Sequence, residues 1–380
     1  LFRSLTGQNS AQFFEQISAL FSGNPVTGAS VELTIDPVVQ KAAWDALGDK
    51  TGAVVAIEPK TGNILALVSK PGFDANLLAV HNGVESTSNY NALLNSKLEP
   101  LKNRATTELF APGSVFKILV ATAAIESGKY TPESTLPNPV KFKLPGTNVY
   151  VQNSGEGKCG GKSTVSIADA LRFSCNVPMA QLGILLGQDA IRAQAEKFGF
   201  GKTVDIPLRS TASVYPENMD DAQTAMSAFG QFDVRVTPLQ IAMMSAAIAN
   251  NGKIMKPNLI ENVVSANLSS LFAPGPQEFA SPISQNTADA VRKMMIEAVE
   301  RGVSSNARID GITVAGKTGT AQNGKDDPYT LWFTGFAPAE NPRVVVAVVI
   351  EDGGGRGQAG RGNTLAAPVA KKVMQAVLRK

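Results

Sequence analysis

Ser114-Val115-Phe116-Lys117 sets a hydroxyl and an amine three residues apart at the start of an apolar run, directly after Ala111-Pro112-Gly113. On a helix, residues at that spacing share a face. The first turn of a helix also leaves backbone N–H groups unpaired, and these can hold a developing oxyanion. One turn thus supplies a nucleophile, a base and an electrophilic pole. No other Ser-x-x-Lys occurs in the 380 residues. To accept a proton Lys117 must be neutral, so burial or a nearby cation must bring its pKa down.

Two further elements have chemical content only in combination. Ser-x-Asn occurs at Ser22, Ser174, Ser265, Ser284 and Ser304, and such residues usually serve as caps or turns. Only Ser174-Cys175-Asn176 falls in a loop between two mid-chain helical patterns. Lys-Thr-Gly occurs at Lys50, Lys60 and Lys317. The first two flank N-terminal strand patterns and read as turns. Lys317-Thr318-Gly319-Thr320-Ala321 follows Ile312-Thr313-Val314-Ala315 and precedes Trp332-Phe333-Thr334-Gly335-Phe336. That context predicts a strand edge, where a glycine lets a substrate backbone pair alongside. The same stretch matches a P-loop, Gly311-x4-Gly316-Lys317-Thr318, with Val344 to Asp352 as an acid-ended strand. A P-loop needs a helix after its lysine. Here Ile312, Thr313 and Val314 extend a strand, and Asn323 to Pro328 is turn chemistry, so an NTPase is set aside.

Composition closes other routes. The net charge is +3 with no basic tract, so no nucleic acid partner is expected. The single histidine, His81, sits in the polar stretch His81-Asn82-Gly83. Neither a His-rich metal site nor a Ser-His-Asp triad is therefore expected, and no metal or cofactor is called for. No run of 18 apolar residues is present, so no segment reads as a membrane span. The two cysteines, Cys159 and Cys175, are either free thiols, as in cytosol, or a disulfide if the domain is exported. A bridge closing a loop of that size would stabilise by about 3 kcal/mol.

The elements that must position these groups follow from patterning. Residues 11–22 carry apolar residues at helical spacing. Asp36-Pro37 is a helix start, an N-cap followed by proline at the first helical position. Apolar runs at Gly52–Ile57 and Asn63–Ser69, joined by Pro59-Lys60-Thr61-Gly62, predict a β-hairpin. Residues 70–113 read as polar and irregular. A helix is expected from Ser114 to Gly128, and others at 166–173, 178–187, 189–198, 237–250, 286–301 and 364–378. Strands are expected at 312–316, 331–337 and 343–351. Strands at both ends and helices between them imply one antiparallel sheet built from both ends, a second lobe of helices at about 70–235, and a site in the cleft between.

Together these elements resemble the penicilloyl-serine transferase superfamily, whose motif set is Ser-x-x-Lys, a Ser-x-Asn-type element and Lys-Thr-Gly. Leu33-Thr34-Ile35-Asp36-Pro37, Gly52 to Ile57, Gly230-Gln231 with Val236-Thr237-Pro238-Leu239-Gln240, and Gly316 to Ala321 extend the match to a class B penicillin-binding protein. The resemblance implies an α/β (α+β) fold of the penicillin-binding and serine β-lactamase type. It makes 31–380 the transpeptidase domain and 1–30 the end of a non-catalytic segment. It also implies a D,D-transpeptidase with peptidoglycan stem peptides as substrates and β-lactams as inhibitors. In that reading Ser114 is the nucleophile, Lys117 the base, Ser174 a proton relay, and Asn176 a partner of Lys117 and of the substrate amide. Lys317, Thr318, Gly319 and Thr320 bind substrate, and the backbone N–H groups of Ser114 and Thr320 form the oxyanion hole. Membrane-bound cell-wall synthesis partners are implied, as is a place on the extracytoplasmic face of the cell membrane. The chain opens at Leu1, so an anchoring segment is expected upstream. A D,D-carboxypeptidase shares this machinery. A serine β-lactamase would need a carboxylate base, and no Glu-x-x-Leu-Asn lies between Ser174 and Lys317. A non-enzymatic β-lactam sensor or division scaffold is the other rival. One departure is Phe232, where many relatives have glycine after Gly-Gln.

Overall fold

The structure is a computed structural model and describes residues 28–155, 157–265 and 268–379. The helix expected at 11–22 lies outside the described residues. At the centre is a five-stranded antiparallel sheet in the order Ala315–Ala321, Thr330–Ala337, Val344–Ile350, Gly52–Ile57, Ile64–Lys70. The two ends of the chain therefore share one sheet, as the pattern of runs predicts.

Its middle strands are buried along their whole length. A sheet covered on both faces needs apolar residues on both, which gives continuous runs such as Val-Val-Val-Ala-Val-Val-Ile in place of alternation. The faces still separate with period two. Ala53, Val55, Val345, Ala347 and Val349 join the core shared with the helical lobe. Val54, Ala56, Val344, Val346, Val348 and Ile350 join the core beneath the helices Pro37–Leu47 and Gly362–Leu378. Fully burying one such side chain contributes roughly 1.5–3 kcal/mol. Pro37–Leu47 starts as expected, with the Asp36 carboxylate accepting from the Val38 and Val39 N–H groups.

On the cleft side the sheet is covered by Pro238–Ala249, a helix buried at every position. Ser245 spends its hydroxyl on the Thr334 hydroxyl at 2.7 Å, which satisfies two polar groups inside that interface. The lobe beyond holds helices Lys117–Glu126, Ile167–Arg172, Asn176–Leu186, Gln188–Lys197 and Asp221–Ser227. It also carries two short ribbons, Thr135–Pro137 with Thr164–Ser166 and Lys141–Lys143 with Tyr150–Gln152, where only helices were expected.

Three local expectations are corrected. Residues 70–113 contain a helix, Gly83–Leu94, capped by Asn82. It buries no residue, so no apolar stripe marked it. The strand expected at 312–316 begins at Ala315 because Gly311, at φ +74°, turns the chain and Ile309 bridges Ile312. That shift puts Lys317 inside an extended strand followed by another strand, which removes the P-loop geometry. Finally, Ser114 lies in a 3₁₀ turn, Gly113–Phe116, and the α-helix starts at Lys117.

Candidate active site

The 3₁₀ turn suits the chemistry. At three residues per turn, positions i and i+3 eclipse, which stacks Ser114 and Lys117 on one edge. Backbone contacts seat the turn. Gly113 N–H donates to Gly230 O at 2.9 Å. A Cβ on Gly230 would lie 2.0 Å from Gly113 O, and one on Gly113 would lie 2.7 Å from Thr320 O. Both glycines have positive φ, +77° and +53°. Glycine at Gly113 lets the nucleophile turn touch the edge strand, glycine at Gly230 lets its loop touch that turn, and Trp332 Nε1 ties Ala111 O into the same assembly at 2.9 Å.

Lys117 and Lys317 are both fully buried and approach one residue. Lys117 Nζ donates to Ser174 O at 2.8 Å, to Asn176 Oδ1 at 2.7 Å and to Ser174 Oγ at 3.4 Å. Lys317 Nζ donates to Ser174 Oγ and to Thr318 O, each at 2.8 Å. Burial, then the Lys317 charge, holds the Lys117 pKa well below its usual value. Burial lowers Lys317 to about 7. The structure thus brings Lys117, Ser174, Asn176 and Lys317 together. Among the described residues, the Ser114 hydroxyl itself has no hydrogen-bond partner, a common condition before substrate tightens such contacts.

Ser174 reaches both amines because of how its loop is made. Helix Ile167–Arg172 ends in a Schellman turn, with Cys175 N–H on Ala170 O and Ser174 N–H on Leu171 O. Glycine usually takes the left-handed position of that turn, yet here Ser174 does, at φ +60°. Strain of this kind gathers at functional sites. The next helix begins at Asn176 with Cys175 in the cap position, which supplies no side-chain cap. Asn153 does so instead, its Oδ1 accepting from the Asn176 and Val177 N–H groups at 2.9 and 3.0 Å. Cys175 is bonded to Cys159, which settles the open choice for the cysteines and ties the loop to its neighbour.

Along the edge strand, Thr318 N–H points off the sheet to Ser304 Oγ at 3.0 Å. An antiparallel ladder alternates, so the Thr320 N–H faces the same way, beside the Ser114 turn. The Thr318 hydroxyl meets Val303 O and Ser304 Oγ, each at 3.3 Å. Gly319 abuts Pro112 O and Trp332 Cβ, each 3.0 Å from where its Cβ would stand. Ser304 and Asn153 were not singled out from sequence as site residues. Ser304 was visible only as one more Ser-x-Asn. Ser284, another of those, is an ordinary N-cap, accepting from Thr287 N–H. Phe232 adopts φ +60°, a left-handed backbone that glycine takes without strain. Among the described residues no cluster of His, Cys, Asp and Glu could hold a metal.

A nucleophile turn, an amine–hydroxyl–amine relay and an open strand edge in one cleft define a serine acyltransferase of the penicillin-interacting type. The family model described as penicillin binding protein transpeptidase domain matches residues 52–375, and the chain belongs to that family. It is 38% identical to peptidoglycan D,D-transpeptidase PbpA of Mycolicibacterium smegmatis, over 99% of this chain and 78% of that protein. It also resembles penicillin-binding protein A from M. tuberculosis. The ceftriaxone acyl-enzyme of that protein superposes with a TM-score of 0.95 at 36% identity, covering 99% of this chain and 86% of the other. Its penicillin G acyl-enzyme gives a TM-score of 0.93 at 36% identity, with 99% and 87% covered.

Proposed function

We propose that this chain is a serine-type peptidoglycan D,D-transpeptidase, acylated by stem peptides and by β-lactams at Ser114. The observation that carries the reading is the hydrogen-bonded series Lys117–Ser174–Lys317 beside the Ser114 turn. In it, Lys117, kept neutral by burial, takes the Ser114 hydroxyl proton as the oxygen attacks the carbonyl of the penultimate D-Ala. The backbone N–H groups of Ser114 and Thr320 hold the oxyanion, a contribution of about 3–4 kcal/mol per donor. The proton passes by way of Ser174 to the leaving D-Ala nitrogen, and an ester remains on Ser114. The amine of a second stem attacks the ester, loses its proton to Lys117, and the cross-link forms as the Ser114 hydroxyl is restored. Lys317, with Thr318 and Thr320, binds the terminal carboxylate. Asn176 orients Lys117 and the substrate amide.

Residues 31–380 act in this reading as one transpeptidase unit working with membrane-bound cell-wall synthesis partners on the outer face of the cell membrane. The disulfide supports an oxidising compartment. Among the described residues no helix is long and apolar enough to cross a membrane.

Intact mass after a short benzylpenicillin pulse tests the proposal. A persistent adduct on the wild type, absent from Ser114→Ala, is expected. Rapid loss of the adduct favours a β-lactamase, and unchanged labelling of Ser114→Ala removes Ser114 as nucleophile. D-Ala release that ignores an added acceptor amine favours a carboxypeptidase.

A further inference from the structure

Resting on the reading of Ser114 as the acylated serine and Lys117 as its base, the surroundings of Asn176 show how that base is aimed. A neutral amine has two hydrogens and one lone pair. Lys117 Nζ makes two short contacts, with Ser174 O at 2.8 Å and Asn176 Oδ1 at 2.7 Å. When both acceptors take a hydrogen, the lone pair is left for the Ser114 proton. Ser174 O belongs to the backbone and keeps its place. Asn176 Oδ1 sits on a rotatable side chain, and an amide turned end for end would set donor against donor.

Two adjacent residues prevent that turn. Gln152 O accepts from Asn176 Nδ2 at 3.1 Å, which fixes the sense of the amide. Asn153 Oδ1 accepts from the Asn176 and Val177 N–H groups, which fixes the backbone that carries it. The end of the Lys141–Lys143, Tyr150–Gln152 ribbon thus grips Asn176 by side chain and by main chain. Asn153 is itself held from behind. It is 4% exposed, and its Nδ2 donates to Asn138 Oδ1 at 3.2 Å and to Gly157 O at 3.3 Å. With two bonds accepted and two donated, its amide is saturated. Asn138 is fully buried. Its Oδ1 also accepts from Cys159 N–H at 3.3 Å, and its Nδ2 donates to Cys159 O and Lys162 O, each at 2.7 Å. A buried polar pair satisfied this fully is rigid.

We propose that Asn153 is a positioning residue of the acylation step: through the Asn176 backbone it holds Asn176 Oδ1 against Lys117 and so aims the lone pair of the base at Ser114. Asn138 reaches Asn176 only by way of Asn153, which keeps Gly157 O as a second anchor, so Asn138 serves the stability of the lobe and not the aim of the base.

Stopped-flow acylation over a range of benzylpenicillin concentrations tests this, since it separates the limiting rate of acylation from the affinity of the noncovalent complex. Asn153→Ala should lower the limiting rate by about 10²-fold, as a small misplacement of a reacting group does, with the affinity unchanged. In an Asn176→Ala background the same substitution should slow acylation further by no more than about twofold, because the route it acts through is already gone. Asn138→Ala should lower the urea midpoint, since it strips partners from buried groups, yet slow acylation by no more than about twofold, as an uncoupled site would. If Asn153→Ala does not fold, Asn153→Ser carries the same comparison, its hydroxyl one bond too short to reach both N–H groups. Acylation of the Asn153 variant at the wild-type rate overturns the proposal. So does its full effect persisting in the Asn176→Ala background, or an Asn138→Ala variant slowed as much as Asn153→Ala. A wild type that forms no penicillin adduct overturns the transpeptidase reading instead, and this role with it.

Discussion

Lys117 and Lys317 approach the same hydroxyl from opposite walls of the cleft, their Nζ atoms 3.4 and 2.8 Å from Ser174 Oγ. Two buried amines that share one oxygen repel when both are charged, so the site favours one proton between them. Desolvation, then the charge of Lys317, depresses Lys117, while Lys317 stays near 7. A neutral base and a cationic carboxylate binder can therefore coexist near neutral pH.

The pH dependence of acylation follows from this pairing. The second-order rate with benzylpenicillin should rise at low pH as the pair loses its first proton. It should fall as pH rises through about 7, where Lys317 becomes neutral. Both limbs belong to the coupled pair. Stopped-flow rates across pH check it, and a rate still climbing into the alkaline range refutes it. Stability has its own sign. The unfolded chain binds the extra proton between about 7 and 10.5, so the Lys317 contribution rises with pH across that window and is level below it.

Ser174 holds its hydroxyl in place at the expense of a left-handed backbone. Ser174→Gly and Ser174→Ala should both slow acylation by about 10²-fold or more, the usual value of a proton-transfer group. They should differ in stability. Only glycine is unstrained at φ +60°, so the glycine variant should be more stable than the alanine variant by about 1–2 kcal/mol. Urea unfolding of the two measures the difference, and equal midpoints count against backbone strain there.

Gly230 marks a contact that no sequence pattern announces. A Cβ there would stand 2.0 Å from Gly113 O, so Gly230→Ala must displace the backbone of the nucleophile turn relative to the loop that seats it. The expected cost is about 1–3 kcal/mol in stability, as for overpacking. Acylation should fall about 10²-fold because a 1 Å misplacement costs that much. Penicillin labelling at wild-type speed would falsify the seating role.

The disulfide ties the Ser174 loop to residue 159. Cys159→Ser with Cys175→Ser should lower stability by about 3 kcal/mol, the chain-entropy value for a loop of this size. Thiol titration of denatured, unreduced wild type should find none, and finding two removes the bridge.

What the sequence alone determined was whatever depends on near neighbours along the chain. Ser114 and Lys117 lie within one turn, Asp36-Pro37 caps its own helix, and the apolar runs Gly52–Ile57 and Val344–Ile350 read as strands. Local sterics and solvent transfer act over a few residues, so such features are legible without a fold. The helix Gly83–Leu94 escaped because it buries nothing and so leaves no stripe. Tertiary structure alone decided which Ser-x-Asn joins the two lysines, that Ser304 supports Thr318, and that Asn153 caps a helix 23 residues away. It also decided that Gly113, Gly230 and Thr320 touch backbone to backbone. Each of these is a distance between segments remote along the chain, set by how the lobe packs on the sheet, and no local pattern encodes such a distance.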